Sequence, residues 1–536
     1  MKIILGITTV LLLAVFIVAY LYFSNLTGDS RSNDKTLASI PADASVILTF
    51  SNDKSLYEIF KDYTLFDTLT GNRTKQELSW LKHLLLDNKT LASATRGQKV
   101  FLSFHPMSAD SLQFLWVMPV LQKLELEDIE DVLTNGNVNR IKKGVEAGVP
   151  LLEVTDVLLA KTFYIGIDRG IARGSFSKAL LLKSLNENAK KINEEFIKEI
   201  NDAVLANDDA LASLFINHNE PGFLNVFFKD NLTGNFGLFG SAKAYSSLNL
   251  NYKSDALMFN GLSRITKKNE GYLELFLKQN PVKNTIKRIL PYNVSNAICF
   301  GLSDYDLFNS GLKRLFGKRK ELTELDEQMR LITTETGVNP DRDIKKLWGE
   351  EFTNIQLATH ENLAVISVSN GRQLEFFLEP LSSVYSESVK KMNYENIFYY
   401  YFGDPLKKYR KPFFAITDNL AIISNSPGTV QRFLNDYNNE RLLSENRSFN
   451  KFDQLIADQS NISFLMLLKN SESLLKTQLK RKYSEILIDK KPGFKDFYGI
   501  SFQLTSNNEH FFTNFYTGYV NETAVSPDSL VYIKEN

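Results

Sequence analysis

Cysteine and histidine are scarce in this chain, which limits the chemistry that its side chains can supply. The 536 residues include one cysteine and five histidines. One thiol cannot form an intrachain disulfide, and a set of thiolates for zinc or an iron–sulfur cluster is excluded. Because Cys299 lies in the apolar run from Ala297 to Phe300, we interpret it as a small buried hydrophobe and not as a reactive nucleophile.

The chain also has no excess of charge of either sign. Lys and Arg together number 62, as do Asp and Glu, so the broad positive field needed for non-specific nucleic-acid binding is absent. We therefore expect no nucleic-acid partner. The hydrophobic content of 43% can fill ordinary globular cores, and a chain of this length exceeds the size of one core, so at least two domains are expected.

Motifs that mark catalytic or cofactor sites are missing. The pattern HExxH, the phosphate-binding GxxxxGK[ST] and the nucleophile-elbow GxSxG do not occur. SxxK strings occur, including those that begin at Ser51 and Ser175, but the KTG partner of penicillin-recognising enzymes is absent. None of the histidines has metal-ligand spacing; they are His83, His105, His218, His360 and His510. We expect no catalytic residue, no metal ligand and no cofactor.

A long uncharged run is present at the N-terminus. From Ile3 to Phe23 the chain is apolar, and about 21 residues at about 1.5 Å each match the roughly 30 Å thickness of a bilayer core. The run is longer than the apolar region of a cleaved signal peptide and ends in aromatic residues. The sequence therefore predicts a transmembrane signal anchor over residues 1–24 and a polar tether over residues 25–37, with the N-terminus in the cytoplasm.

The remainder of the chain carries an internal duplication. Pro41, in Ile-Pro-Ala-Asp-Ala, has a counterpart in Pro291, 250 positions later, and Phe163 aligns with Phe413 at the same spacing. Corresponding blocks recur in the same order near the end of each copy. We therefore predict two homologous domains, residues 38–285 and 286–536.

Local patterns predict how each copy is built. Turns that begin at Asp168 and Asp418 join pairs of apolar strands, and a helix follows each hairpin, from Ser177 and from Pro427. Further tight turns are predicted at 369–371 and 506–508. Two long helical stretches are predicted to cover a sheet face: Lys178 to Phe215 and Leu307 to Thr334.

These patterns predict an α+β fold. It would consist of an N-terminal transmembrane helix and two tandem homologous domains, whose mainly antiparallel sheets are covered by helices. Closure of a sheet into a lipid-binding tube stays an alternative.

Two stretches resemble a known family. The opening strand Ile-Pro-Ala-Asp-Ala at residues 40–44 and the run from Thr336 to Glu351 resemble bacterial membrane-anchored proteins known only as a domain of unknown function. The resemblance covers most of the chain after the anchor. The first copy lacks a recognisable Gly-x-x-Pro-x-x-Asp-Ile stretch between Leu69 and Asn88. The resemblance implies an envelope location and no catalytic residues.

Basic clusters and one aromatic run are the remaining distinctive features. The clusters lie at residues 313–320, 407–411 and 480–482. They could contact anionic lipid headgroups, but we interpret the first cluster as a solvated helix face balanced by nearby glutamates. The aromatic run from Ile397 to Phe402 is interpreted as a strand that buries one face.

The sequence leads to three functional hypotheses. The first is a non-enzymatic, membrane-anchored protein of the bacterial cell envelope that binds another protein or organises an assembly. It would be a single-pass protein of the inner membrane, with most of the chain outside the cytoplasm. The alternatives are a carrier or sensor for a lipid or other apolar ligand, and a hydrolase with an unfamiliar site.

Overall fold

The computed structural model describes most of the chain after residue 32. The described residues are 33–51, 80, 95, 97–108, 111–120, 125–134, 139–146, 148–156, 160–207, 210–220, 222–229, 234–237, 243–253, 256–266, 271–485 and 497–519. The predicted anchor from Ile3 to Phe23 lies outside them. The chain divides into two compact units, and among the described residues unit 1 ends at Phe223 and unit 2 begins at Leu224.

Twelve α-helices have bounds within the described residues, and none of these twelve exceeds 15 residues. Their bounds are α1 Leu126–Thr134, α2 Lys178–Leu185, α3 Glu194–Ala206, α4 Gly222–Phe227, α5 Tyr305–Lys318, α6 Leu322–Thr336, α7 Gly371–Leu378, α8 Ile397–Phe402, α9 Pro427–Asn438, α10 Arg447–Asp453, α11 Leu468–Gln478 and α12 Arg481–Ser484. None of these helices is long and apolar enough to cross a membrane.

Among the described residues, strands contain more residues than helices. Those of the first unit are β1 Val46–Ser51, β2 Lys99–Ser108, β3 Ser111–Pro119, β4 Asn139–Glu146, β5 Val149–Asp156, β6 Lys161–Asp168, β7 Ile171–Ser175 and β8 Ala212–Asn217. Those of the second unit are β9 Ala244–Lys253, β10 Ala256–Ile265, β11 Val282–Lys283, β12 Val294–Gly301, β13 Trp348–Leu357, β14 Asn362–Val368, β15 Ser382–Val384, β16 Lys390–Met392, β17 Phe413–Thr417, β18 Leu420–Ser424, β19 Gln459–Ser460, β20 Ile462–Leu467, β21 Phe497–Ser506 and β22 Phe511–Tyr519.

Every described pairing between these strands is antiparallel. In unit 1 the strands lie in the order β8-β1-β2-β3-β7-β6-β5-β4. In unit 2 the order is β9-β10-β22-β21-β20-β12-β13-β14-β18-β17-β16-β15. The described strands β11 and β19 form a separate short ladder.

The two units share one strand order. The run β8-β1-β2-β3-β7-β6-β5-β4 has the same connectivity as β20-β12-β13-β14-β18-β17-β16-β15. The shared order supports the predicted duplication. Its boundaries, residues 38–285 and 286–536, stay a prediction.

The hairpins predicted at Asp168 and Asp418 are confirmed, with a shift of one residue in the alignment. Asp168 pairs with Ile171 and Thr417 pairs with Leu420 across two-residue turns. The equivalent pairs are therefore 249 positions apart, not 250. The difference matters because a slip of one residue moves a strand's side chains to the opposite face of the sheet.

The predicted helix starts after both hairpins are also confirmed. The Ser177 side chain accepts a hydrogen bond from the backbone N–H of Leu180, and Ser426 does the same for Thr429. Pro427 occupies the first turn of α9, where the missing N–H has no intrahelical partner to lose.

The predicted α+β class is wrong, and no described helix is long and apolar enough to be the transmembrane helix of that prediction. Twenty of the described strands belong to large antiparallel sheet structure, so the described chain is sheet-rich. The stretch from Lys178 to Phe215 contains α2 and α3 and then becomes strand β8. The stretch from Leu307 to Thr334 is two helices, separated near Lys320, which has a φ of 61°. Apolar residues recur at helical spacing across both interruptions, so the sequence pattern did not reveal where the helices end.

Two local predictions are also wrong. Residues 369–371 are not a hairpin turn, because Asn370 caps α7 by accepting a hydrogen bond from the Gln373 N–H. The aromatic run is helix α8, and all six of its residues are buried. Tyrosine hydroxyl groups of α8 donate hydrogen bonds to other segments: Tyr399 donates to Glu321, and Tyr401 donates to the Pro340 carbonyl. An apolar run this short does not by itself distinguish a strand from a helix.

Candidate functional site

A chain of three polar side chains crosses the buried part of unit 1. Ser103 Oγ lies 2.8 Å from His105 Nε2, and His105 Nδ1 lies 3.2 Å from Asp43 Oδ1. Lys183 Nζ lies 3.0 Å from the same Asp43 oxygen. We call Asp43, His105 and Ser103 the polar relay. The strand positions of Ser103 and His105, two residues apart on β2, place both side chains on one face.

Charge and proton positions in the polar relay follow from its contacts. Burial lowers the pKa of His105, although the hydrogen bond with Asp43 acts in the opposite direction. Burial raises the pKa of the Asp43 carboxyl, but hydrogen bonds from His105 and Lys183 outweigh it, and the pKa falls to about 2. At neutral pH Asp43 is therefore ionised and His105 is neutral. The hydrogen-bond network assigns the His105 proton to Nδ1, and the Ser103 hydroxyl then donates to Nε2.

The order Ser–His–Asp is that of a serine hydrolase triad, but the surroundings do not suit catalysis. Ser103 and His105 are both 0% exposed. Ser103 lies in the middle of β2, between its paired neighbours β1 and β3, so a substrate carbonyl has no path to its hydroxyl. A triad also needs hydrogen-bond donors for the oxyanion, and the backbone around Ser103 is engaged in the sheet. The relay is a packed polar cluster.

The other histidines and Cys299 occupy structural positions. His360 and His510 lie in the turns between β13 and β14 and between β21 and β22. His218 follows β8, and burial lowers its pKa to about 4. His83 lies outside the described residues. Cys299 is free and buried, as expected, and burial raises the pKa of its thiol to about 12.

The SxxK string that begins at Ser175 has no catalytic arrangement. Ser175 Oγ donates to the Phe114 carbonyl, and Lys178 contacts Glu146 and Glu153. In the SxxK string that begins at Ser51, Lys54 lies outside the described residues. Within the part of the chain that the structure describes, no group of three or more His, Cys, Asp or Glu side chains could hold a metal ion.

The basic clusters are charge-balanced by nearby carboxylates. In the first cluster, Arg319 pairs with Asp404. In the second, Lys407 pairs with Glu321. Lys408 is different, because its ammonium group is mostly buried and donates to Asn362 Oδ1, and burial lowers its pKa to about 8. The ion pairs of Arg319 and Lys407 with carboxylates reduce the net positive charge of these two clusters.

A sheet-edge hollow in unit 2 has the features of a binding site. We call it the edge slot; its volume is about 270 Å³, and its lining includes β17, α7, α9 and the turn after β15. Strand β16 pairs with β17 only at Phe413 and Phe414. Within the described residues, no strand covers the edge of β17 beyond Phe414.

The backbone of Ile416 faces this uncovered edge. The pair Thr417–Leu420 closes a two-residue turn and exchanges backbone hydrogen bonds, and alternation along β17 gives Ala415 the same relation to Ile422. The N–H and C=O of Ile416 therefore point away from β18 and toward the edge slot. An uncovered donor and acceptor at a sheet edge form a template for another strand.

Charged and polar side chains surround the edge slot. Glu375 and Glu387 lie at one side with Lys390, whose Nζ is 3.1 Å from Glu375 Oε1. Gln431 and Asn438 of α9 also belong to the lining. With two carboxylates and one ammonium group, the formal charge of this lining is negative.

Exposed apolar side chains lie close to the edge slot in sequence. Phe376 is 68% exposed, Val384 78% and Tyr385 59%. Phe376 follows Glu375 on α7, and Tyr385 belongs to the turn that supplies Glu387. Single exposed apolar residues are common on protein surfaces. Three of them close in sequence to residues that line the edge slot favour an interaction surface.

A second hollow of unit 2 is larger and more open. Its volume is about 460 Å³, within the usual range of ligand pockets. Tyr292 and Leu442 contribute apolar surface, and Asp436, Arg441 and Glu445 place charges around them. This mixture suits an amphipathic ligand better than a wholly apolar one.

Sequence reasoning named neither the polar relay nor the edge slot. Two polar residues with i, i+2 spacing on a buried strand were a signal for Ser103 and His105, but Asp43 lies 62 positions before His105. The edge slot had no sequence signal, because it depends on where β16 stops relative to β17.

Comparison with other proteins adds no family to these observations. The chain matches none of the protein-family models, curated proteins or solved structures with which it was compared.

Proposed function

We propose that this chain is a non-enzymatic, membrane-anchored protein of the cell envelope that binds a protein partner through the edge slot of unit 2. The uncovered edge of β17 carries the proposal, because Ile416 offers a backbone donor and acceptor inside a hollow with polar walls. Strand addition at such an edge is a common mode of peptide recognition. The anchoring segment in this proposal is the run from Ile3 to Phe23.

Residues beside the edge slot support the same proposal. Val384 pairs with Lys390 of the slot lining, and both Val384 and Tyr385 expose apolar surface that a partner would bury. Burial of apolar area contributes roughly 25 cal/mol per Å², and aromatic residues are enriched among those that dominate protein interfaces. The polar relay gives the hydrolase alternative no comparable support, because Ser103 is inaccessible.

The carrier alternative rests on one observation, the hollow beside Tyr292. Its volume suits a small ligand, but Asp436, Arg441 and Glu445 would lie next to an acyl chain placed there. A carboxylate next to an apolar group loses solvation without gaining a hydrogen bond. We therefore rank the carrier function second.

Site-specific photo-crosslinking tests the proposed function. A benzophenone amino acid at Ser388, which lines the edge slot, is introduced into the full-length chain in cells, and adducts are identified by mass spectrometry. The matched control carries the same group at Glu327, an exposed position on α6. We expect one defined protein to be captured from Ser388 and not from Glu327.

Two further results decide the outcome. The captured protein, once purified, is expected to bind the full-length chain, and Tyr385→Glu is expected to weaken that binding. Adducts with lipid alone at Ser388 would favour the carrier function. Equal capture from both positions would overturn the proposed site.

A further inference from the structure

We infer that the edge slot receives an extended polypeptide segment with a lysine or arginine side chain, which adds to β17 as an antiparallel strand in line with β16. This inference rests on the proposed function and names the chemistry of the partner. It is carried by the backbone of Ile416 and by the carboxylates of Glu375 and Glu387.

The direction and register of the added segment follow from β16. Phe414 pairs with Lys390, and the Met392 N–H donates to the Pro412 carbonyl. The backbone N–H and C=O groups of alternate residues, 412 and 414, therefore point toward the edge occupied by β16. Ile416 is the next residue in that series. A segment that continues the line of β16 would make two backbone hydrogen bonds with Ile416, one donated and one accepted.

The chain itself does not continue along this line. The β15–β16 hairpin turns back at residues 385–389, and the N–H groups of Tyr385 and Ser386 both donate to the Val389 carbonyl. The turn stops the strand at Lys390, and Glu387 and Ser388 of the turn line the edge slot. Because β16 ends at Lys390, it leaves the edge of β17 uncovered at Ile416.

Charge selects the side chain of the partner. Lys390 already pairs with Glu375, and among the described residues Glu387 has no ion-pair partner within salt-bridge distance. A cation on the incoming segment would gain an interaction with Glu387 and with the remaining acceptor capacity of Glu375. An acidic side chain at the same place would be repelled.

The volume also fits a polypeptide segment. At about 270 Å³, the edge slot is smaller than most pockets for whole small-molecule ligands, which begin at about 300 Å³. The slot is partly open to solvent, so a chain can enter and leave without threading. Such a site accommodates one part of an extended segment while the rest lies over Val384 and Tyr385.

Binding of synthetic heptapeptides to the full-length chain in detergent tests the inference. The probe is fluorescein-labelled Thr-Val-Thr-Lys-Thr-Val-Thr, and the matched control has Glu in place of Lys. Two further peptides carry backbone N-methyl groups on alternate residues, either the even or the odd set. Only one set faces β17, so we expect one N-methylated peptide to lose about tenfold in affinity while the other does not.

Protein variants supply the second measurement. Glu387→Lys is expected to reduce affinity for the lysine peptide by about tenfold and to raise affinity for the glutamate peptide. Glu327→Lys makes the same charge change on α6, away from the slot lining, and is expected to change neither affinity. Because both glutamates are exposed, neither substitution should disturb folding.

The outcomes separate this inference from the proposed function. Equal loss for both N-methylated peptides, equal effects of the two charge reversals, or no binding of the lysine peptide would overturn the inference. If a partner is still captured from Ser388 under those conditions, protein binding stands and strand addition falls. If that capture also fails, both fall.

Discussion

Equivalent positions in the two units are filled by opposite chemistry. In unit 1, Asp43, Ser103 and His105 form the polar relay. Pro41 and Pro291 accept the same local hydrogen bond, from the N–H groups of Ala44 and Val294. Together with the strand registers, this equivalence places Asn293, Ile355 and Leu357 of unit 2 at the relay positions.

The difference shows how one strand order tolerates two interiors. Ile355 and Leu357 belong to a buried hydrophobic cluster with Leu290, Val294 and Phe433, and this cluster gains stability from apolar burial. The polar relay buries hydrogen-bonding groups instead, which adds little net stability but is costly to leave half-satisfied. The fold is thus compatible with either solution, provided that each is complete.

The largest expected effect comes from placing a relay residue in the apolar unit. Leu357→His places a polar imidazole in the buried cluster that contains Ile355 and Leu363 and removes the apolar contacts of Leu357, so we expect a loss of about 4 kcal/mol in the local stability of β12–β14. Hydrogen exchange of the amides in these strands measures it. Leu357→Met, a volume-conserving control, should cost less than about 1.5 kcal/mol.

Removing the centre of the relay tests the comparison from the other side. His105→Leu leaves Asp43 and Ser103 without their shared partner, and we expect a loss of about 3 kcal/mol in the stability of β1–β3. The triple change Asp43→Asn, Ser103→Ile and His105→Leu reproduces the chemistry of unit 2 and is expected to recover most of that loss. Hydrogen exchange of β1–β3 gives both values, and additive losses in the triple variant would contradict the comparison.

Acid should weaken unit 1 through the same histidine. Burial lowers the pKa of folded His105, whereas an unfolded histidine titrates near about 6.5. The unfolded state therefore binds more protons as the pH falls below about 6.5, and the stability present above that pH is progressively lost. Asp43 adds a second loss below about pH 4, because its folded pKa is about 2.

The measurement is the pH dependence of exchange protection in β1–β3 between pH 7 and pH 5. His105→Leu should flatten the profile in this interval. A profile that is unchanged in the variant would show that His105 is not the responsible group.

The smallest effect is expected at the ion pairs of the equivalent helices. Lys183 of α2 pairs with Asp43, and Arg432 of α9 pairs with Glu361. Both cations are exposed by about half, 44% and 56%, so solvent screens the pairs. Lys183→Ala and Arg432→Ala should each cost less than about 1 kcal/mol in thermal unfolding, and a larger loss for Lys183 alone would show that it supports the relay.

The sequence predicted local structure correctly where contacts between neighbouring residues determine it. The turns after Asp168 and Asp418, the helix starts at Ser177 and Pro427, and the buried position of Cys299 were predicted correctly. For the turns and the helix starts, the deciding contact spans a few residues, such as the Ser426 side chain with the Thr429 N–H. The α+β class failed because one apolar spacing fits a long helix as well as shorter helices followed by a strand.

The sequence by itself determined the hairpins, the helix caps and the repeat signal, since turn and cap preferences act within a few residues. The tertiary structure decided that the aromatic run is a buried helix and that Asp43 meets His105. It also decided that β16 ends before covering Ile416. These features depend on contacts between segments far apart in sequence, and no pattern within one segment specifies which surface another segment will cover.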